Sequence, residues 1–502
     1  MPHAFTQAAT PVSLCRLFAS ASFVGCGDIA VSEVSADSRT CLPGWMFAAI
    51  PGTTAHGASF VPDAIRRGAK ALLVEHPLMD APVQQCVVPD VRRAYAELCE
   101  ALYGYPSRRM GMVGVTGTNG KTTVTWLVRS ILECAGYPTA VMGTIEYSDG
   151  IDAEPAPLTT PCAKMLSQWL AAAVSRGTQH AAIELSSHAL AQSRAAGTLL
   201  DVAIVTNVTQ DHFDYHKSFE SYCASKTRIL RQLKRRGMVV LNADDPSADV
   251  FAGLTPDDKQ VKTFGLNRPA DMTADRIDLT PEGSTFRLRT GVEALDVRTC
   301  LVGRHNVANC LAAALAAMHF GVPLTEIAEG IEALELVPGR MERVECDYPF
   351  NMYIDYAHTD DALRRAIAAV REVTDGRVLC VFGAGGNRDR SKRPLLGRAA
   401  GDADVAVVTS DNPRLERAED IIRDILAGCR ETSAALHVEP DRAQAIRWAI
   451  AEAGPGDTVL VAGKGHETEQ IIGNERRPFD DRKVCLAALR DLTHAVAAGA
   501  AS

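Results

Sequence analysis

Gly114-Val115-Thr116-Gly117-Thr118-Asn119-Gly120-Lys121-Thr122-Thr123 is the stretch that decides how this chain folds. Before it, Met110 to Val115 is a short apolar run of the kind that makes a buried strand. After it, Val124, Leu127, Val128, Ile131 and Leu132 recur at the spacing of one helix face. Strand, glycine-rich turn and helix in that order form the setting of a phosphate-binding loop. Glycines let consecutive backbone N–H groups converge on phosphate oxygens, and the helix N-terminus adds partial positive charge. In that role Lys121 reaches the outer phosphates and the Thr122 hydroxyl ligates Mg²⁺. The usual pattern has glycine six residues ahead of the lysine; Val115 stands there, so the motif is a shortened variant. The expected ligand is a nucleoside triphosphate.

Working outward, 502 residues suffice for roughly two to four domains, each with its own core. Lys plus Arg number 52 and Asp plus Glu 61, a net charge of −9 that argues against a nucleic-acid partner. Fourteen cysteines are scattered with no CxxC pair and no zinc-type Cys/His spacing, as in proteins of a reducing cytosol. The N-terminus lacks a basic segment followed by an apolar core, and no apolar run reaches membrane-spanning length. A cytoplasmic protein with no membrane partner is expected.

Three α/β units are expected. The first, residues 1–106, carries strands at Ala69 to Glu75 and Cys86 to Val88, a helix from Pro62 to Gly68, and the turn Asp37-Ser38-Arg39. Gly104, Pro106 and Arg108-Arg109 mark a linker. The second, 107–339, holds apolar strands at Ala140 to Ile145, Ala181 to Leu185, Val202 to Asn207 and Met238 to Leu241, a parallel sheet covered on both faces. Past Lys262 the shorter alternating runs Ser284 to Arg289 and Leu295 to Leu301 read as an antiparallel edge. Asn306 and Asn309 open an alanine-rich helix, where capping is their ordinary use. The third unit, 340–502, repeats a Rossmann-like alternation, with strands at Tyr353 to Asp355, Val378 to Phe382, Val405 to Thr409 and Thr458 to Ala462.

Ligands of such sheets collect at the carboxyl ends of strands. There lie Thr159-Thr160-Pro161, Glu184 to His188, and Asn207 to His216, with His212 and His216 in a polar, aromatic loop of no evident packing role. In the third unit the same ends carry Gly383 to Asp389, Asp411-Asn412-Pro413-Arg414 and Gly463-Lys464-Gly465-His466-Glu467. Arg388, Arg390, Lys392, Arg393 and Arg414 cluster there, either as a solvated basic face or as a carboxylate pocket.

Taken together, Gly117 to Thr122, Thr159-Thr160-Pro161, Glu184 to His188 with Gln192 and Arg194, Asp211 to His216, Ser225-Lys226 and Asp355 to His358 resemble the Mur ligases, in matching order along the chain. More narrowly they resemble the branch that adds the third residue of the peptidoglycan stem peptide. The resemblance implies a small N-terminal domain for a UDP-sugar, a central ATPase and a C-terminal amino-acid domain. It implies ATP and Mg²⁺ as cofactors, with Gly117, Thr118, Asn119, Gly120, Lys121, Thr122, Thr123, Asn306, Arg340, Asp355 and His358 around the nucleotide. Lys121, Glu184, His212 and Lys226 would be catalytic, and Thr122, Glu184, His212 and Lys226 would hold the metal, Lys226 as its carbamate, since a protonated lysine cannot bind Mg²⁺. The implied acceptor is UDP-N-acetylmuramoyl-L-alanyl-D-glutamate, held by Ser38, Thr159, Thr160, Ser186, Gln192 and Arg194.

The implied amino acid is meso-diaminopimelate, contacted by Arg388, Asp411, Asn412, Pro413, Arg414, Gly463 and Glu467. The DNPR form resembles diaminopimelate-adding members, because a guanidinium fork pairs with the carboxylate that lysine lacks. A monomer is expected. The sequence departs from the family pattern at Trp45, His56, Asp360 and Asn387, where acidic residues or, at Asp360, proline are usual. The alternatives are a related amide ligase using L-lysine or another acidic acceptor, and a nucleotide switch that ligates nothing.

Overall fold

The computed structural model describes residues 10–52, 56–209 and 213–500. Its core is an eleven-stranded sheet built around the strand Gly111–Thr116. His180–Glu184 and Leu200–Val205 flank that strand in parallel register, with Glu184 opposite Val115 and Val205 opposite Thr116. Thr139–Met142, Leu233–Asn242, Gln260–Gly265 and the start of Met272–Thr280 extend the parallel block. The side chains of Val113, Val115, Ala182, Val202 and Ile204 are fully buried, which is why these strands read as unbroken apolar runs.

Both margins of the sheet turn antiparallel. Gly283–Thr290 and Ala294–Thr299 form the expected antiparallel edge on one side, joined there by Met272–Thr280, which was not expected. Glu146–Ser148 and Ala153–Pro155 form a second on the other side, which the sequence reading missed because each is only three residues long, too short for a pattern to show. The expected strand to Ile145 accordingly stops at Met142, where Gly143 starts a turn.

The helix Lys121–Cys134 follows the loop, and Val124, Leu127, Val128, Ile131 and Leu132 are all fully buried. It packs against the alanine-rich helix Arg304–His319, whose small side chains let both helices lie close to the sheet. That helix starts at Gly303, with no side-chain cap; Asn306 instead donates to the Val302 carbonyl at 2.9 Å. Asn306 and Asn309 therefore do not cap the helix.

Residues 22–87 contribute a separate five-stranded sheet, centred on Met46–Ala48, Ala71–Val74 and Gln84–Val87. Residues 342–462 contribute a six-stranded one, with Asn351–Asp355, Thr458–Ala462, Val378–Phe382, Val405–Val408 and Ala435–Val438 in parallel. All fourteen cysteines are free thiols. Among the described residues, no helix is long and apolar enough to cross a membrane.

Candidate active site

The carboxyl ends of the central and C-terminal parallel strands face one cavity of about 780 Å³. The phosphate loop forms its floor. Gly117 sits at φ +147°, and a Cβ there would lie 1.9 Å from Thr206 Oγ1, so only glycine fits. The next strand end holds the loop in shape: Thr206 Oγ1 donates to the Asn119 carbonyl at 2.6 Å, and Asn119 N–H to Asn207 Oδ1 at 3.0 Å. Lys121 Nζ donates to the carbonyls of Gly117 and Thr118, both at 2.9 Å. Thr122 lies at the start of the helix, where its hydroxyl accepts from Arg340 Nη2 at 3.2 Å.

Glu184, at the end of its strand, is oriented by one residue, Thr144. Thr144 N–H donates to Oε1 at 2.8 Å and Thr144 Oγ1 to Oε2 at 3.0 Å. Thr144 Oγ1 also lies 3.1 Å from Thr159 Oγ1, while Thr160 Oγ1 donates to the Glu184 carbonyl at 2.7 Å. Arg194 holds Gln192 Oε1 at 2.8 Å and the Thr160 carbonyl at 3.2 Å, so the three form one polar group beside Ser186.

The C-terminal unit closes the cavity from above. Asp355 accepts from the N–H groups of Met341 and Ala357, and burial pushes its carboxyl up despite the nearby Arg340 guanidinium. Arg340 stacks 4.6 Å from the centre of the Tyr356 ring, and the His466 ring lies 5.0 Å from the same ring. Burial, then the positive charge of Arg340, draws the His466 imidazole down to about 4. Asp361 reaches across to the phosphate loop, accepting from Asn119 Nδ2 and Thr209 Oγ1 at 2.9 Å each.

At the far end, Arg388, Asp411, Asn412, Arg414, Gly463 and Glu467 line the same cavity. Arg414 adopts φ +53°, its N–H bonded to the Ile471 carbonyl and its Nη1 to the Gly386 carbonyl at 2.9 Å. Asn387 is also left-handed, at φ +53°, and its Oδ1 caps the Leu415 N–H at 3.0 Å. Asparagine and aspartate both suit that conformation and that bond, which makes the departure from the family pattern a mild one. Asp360 is equally at home: it begins a helix capped by Thr359, where an acidic residue suits the helix dipole. His56 likewise caps its short helix through Nδ1, as an aspartate would, and Trp45 lies under the Lys164 ammonium at 4.4 Å.

Of the predicted nucleotide residues, Thr118 to Thr123, Asn306, Arg340, Asp355 and His358 line the cavity; of the predicted acceptor residues, Thr159 and Ser186 do. Gly117, Thr160, Gln192, Arg194, Pro413 and Lys226 do not line it, nor does Ser38, which is buried in the first unit against Asp63. Lys226 is 1% exposed and donates to the Gly117 carbonyl at 2.7 Å, beneath the loop. His212 lies outside the described residues.

Two expectations need correction. His216 does have a packing role: it is buried among His188, Tyr215 and Tyr222 and shares a 3.1 Å hydrogen bond with Ser225. The basic cluster is also neither of the two things expected of it as a whole. Arg393 is buried and bonded to Glu416 at 2.8 Å and Asp424 at 2.9 Å, with Arg390 beside the same carboxylates. Arg388, Lys392 and Arg414 line the cavity, as does Arg393 despite its two carboxylate partners. Sequence reasoning missed Thr144 and Asp361, and placed Lys464 at a ligand-facing strand end without giving it a role. Only Lys464 had a visible signal, a lysine between two glycines at a strand end.

This chain belongs to the Mur ligase family. Residues 30–103 match the Mur ligase family catalytic domain, 115–317 the Mur ligase middle domain and 339–465 the Mur ligase glutamate ligase domain. A UDP-N-acetylmuramoyl-L-alanyl-D-glutamate--2,6-diaminopimelate ligase of Thermosynechococcus vestitus is 43% identical over 466 residues, 92% of this chain and 93% of that one. A UDP-N-acetylmuramyl-tripeptide synthetase of Roseiflexus is 40% identical, over 92% of this chain and 95% of its own. A solved diaminopimelate ligase of the first name superposes at TM-score 0.69 with 32% identity, covering 96% of this chain and 99% of its own. A Mycobacterium tuberculosis folylpolyglutamate synthase shares the fold at TM-score 0.60 and 18% identity, over 74% and 92% of the two chains.

Proposed function

We propose that this protein is the ATP-dependent ligase that joins meso-diaminopimelate to the D-glutamate of UDP-N-acetylmuramoyl-L-alanyl-D-glutamate, in the cytoplasm, during peptidoglycan synthesis. The observation that carries this reading is one cavity lined at one end by the phosphate loop and at the other by Arg388 and Arg414. The acceptor carboxylate attacks the terminal phosphorus of ATP, releasing ADP and giving an acyl phosphate. The amino group of the incoming amino acid then attacks the acyl carbon, inorganic phosphate leaves, and an amide bond remains. Little of this is covalent chemistry on the protein, so positioning and charge neutralisation dominate.

Each set of residues has its part. Lys121 and the loop N–H groups hold the phosphates, and Arg340 adds a guanidinium from the C-terminal unit where negative charge builds. Thr159, Thr160, Ser186, Gln192 and Arg194 orient the acceptor, and Ser38 serves its nucleotide end. Arg388 and Arg414 pair with the distal carboxylate of the amino acid, and Glu467 accepts from its ammonium. The donor set suits Mg²⁺. Thr122 and Glu184 line the cavity, and no group of three His, Cys, Asp or Glu gathers among the described residues. Magnesium typically takes one or two carboxylates together with phosphate oxygens and waters, and there it supplies charge neutralisation. Lys226 as a carbamate would add a second anionic oxygen group below the loop.

Phosphate release with UDP-muramoyl-dipeptide and a panel of amino acids tests the reading. Release should require both substrates and should be fastest with meso-diaminopimelate. Preference for L-lysine, or turnover with no amino acid, overturns it.

A further inference from the structure

Lys464 is fully buried behind the amino-acid end of the cavity, where it pairs with Glu467. Its ammonium donates to Glu467 Oε2 at 2.9 Å, to the Glu469 carbonyl at 2.7 Å and to Asn412 Oδ1 at 3.3 Å. Three acceptors saturate its three N–H bonds, so it has none left for a substrate. The acceptors come from three segments: the loop that holds Arg414, the turn after strand Thr458–Ala462, and the first strand of the hairpin Glu469–Pro478. Asn412 Oδ1 also accepts from Ile471 N–H at 3.0 Å, and its Nδ2 donates to Glu467 Oε2 at 2.8 Å. The network thereby fixes which way the Asn412 amide points. It also occupies Oε2 of Glu467 twice, on a residue that lines the cavity.

We propose that Lys464 is a positioning residue that sets amino-acid choice: it aligns Asn412 and Glu467 and cancels the Glu467 charge, so that Arg388 and Arg414 decide what enters. This rests on the diaminopimelate reading above. Diaminopimelate brings two ammonium and two carboxylate groups and is neutral overall, whereas lysine lacks one carboxylate and is cationic. A bare Glu467 carboxylate would attract either substrate through its ammonium. Paired with Lys464, it offers a hydrogen bond without a net field, and the two guanidinium groups then repel the more cationic lysine while rewarding the second carboxylate.

The test compares kcat/KM for meso-diaminopimelate and L-lysine in wild type, Lys464→Met, Lys464→Gln and Lys464→Arg, with the KM for ATP followed alongside. Wild-type turnover on the two amino acids tests the underlying reading by itself, and the change in their ratio tests Lys464. The ratio should fall about tenfold or more in the Met and Gln variants, through the KM for the amino acid, with the KM for ATP unchanged. Lys464→Arg, which returns the charge, should move the ratio back toward wild type. A merely structural lysine would depress both amino acids equally, and that result, or an unchanged or raised ratio, overturns the proposal.

Discussion

Two ammonium groups converge on one carbonyl: Lys121 and Lys226 donate to the Gly117 oxygen at 2.9 and 2.7 Å. Like charges this close repel, most strongly where burial removes water, and Lys226 is the buried one. Carbamoylation would remove the conflict by turning Lys226 into an anion, freeing the loop carbonyl and adding a group suited to Mg²⁺. Lys226→Ala should therefore lose most activity, and a short carboxylate added in solution should restore part of it. Isotopically labelled bicarbonate should give a carbamate resonance in wild type that this variant lacks; its absence from active wild type would end the idea. Arg414 supports a second prediction. Its backbone is pinned by Ile471 and one guanidinium nitrogen by Gly386, which leaves the rest of the fork for the cavity. Losing one partner of such a charge pair costs on the order of 2–5 kcal/mol. Arg414→Ala should thus cut kcat/KM for meso-diaminopimelate by tens- to thousands-fold, with little change in ATP binding. Equal losses for diaminopimelate and lysine would reduce Arg414 to part of the scaffold.

The phosphate loop is an element whose shape depends on the end of a strand 87 and 88 residues further along the chain, through Thr206 and Asn207. Gly117→Ala would drive a Cβ into Thr206 Oγ1, breaking the bond that holds the Asn119 carbonyl. The prediction is a protein with native far-UV circular dichroism that no longer binds ATP by calorimetry; retained affinity would mean that the loop adopts another shape when filled. Such elements differ in how visible they are in sequence. The helix Lys121–Cys134 was legible because five apolar residues fall on one face and all are buried. The parallel strands were legible because burial on both faces makes them continuously apolar. The strands Gln260–Gly265 and Met272–Thr280 were not, because their outer faces carry charge and their inner residues are small or few. Thr144 was invisible for another reason. A lone threonine acquires its role only when the strand before it lies beside His180–Glu184. Asp361 is more remote still, 242 residues from the Asn119 amide it receives.

At the scale of the molecule, the C-terminal unit is held over the phosphate loop by polar contacts and by histidines kept neutral. Burial, then the charge of Arg365, draws the His305 imidazole down to about 4, and His305 lies where the helix Arg304–His319 meets Ala369 of the C-terminal unit. His466 is drawn down to a similar value between Arg340, Lys464 and His358, and its ring also approaches the Thr144 backbone of the central unit. Burial lowers His180, at the amino end of its central strand, and His319, at the end of the alanine-rich helix, as well. In all four the folded chain resists protonation that the unfolded chain accepts near its ordinary value of 6.5. The unfolded state thus binds more protons below that pH, and stability falls as pH drops from about 6.5 toward 4. His305 and His466 should each account for on the order of 1–3 kcal/mol of that loss. The carboxylates of Asp28 and Glu416, drawn down to about 2 by hydrogen bonds from Cys15 N–H and from Arg393, stay charged in the folded chain across this window; their contribution starts to be lost as pH falls past the ordinary values of 3.8 and 4.5 and is gone only near 2. Thermal midpoints measured from pH 7 to 4 should therefore decline steadily in wild type and less steeply in His466→Asn. The ATP affinity of wild type should decline over the same range, since a protonated His466 buried against the Thr144 backbone of the central unit is hydrated only when the two units part. A midpoint that stays level to pH 4, or one that falls identically in His466→Asn, would show that this histidine does not couple protonation to closure.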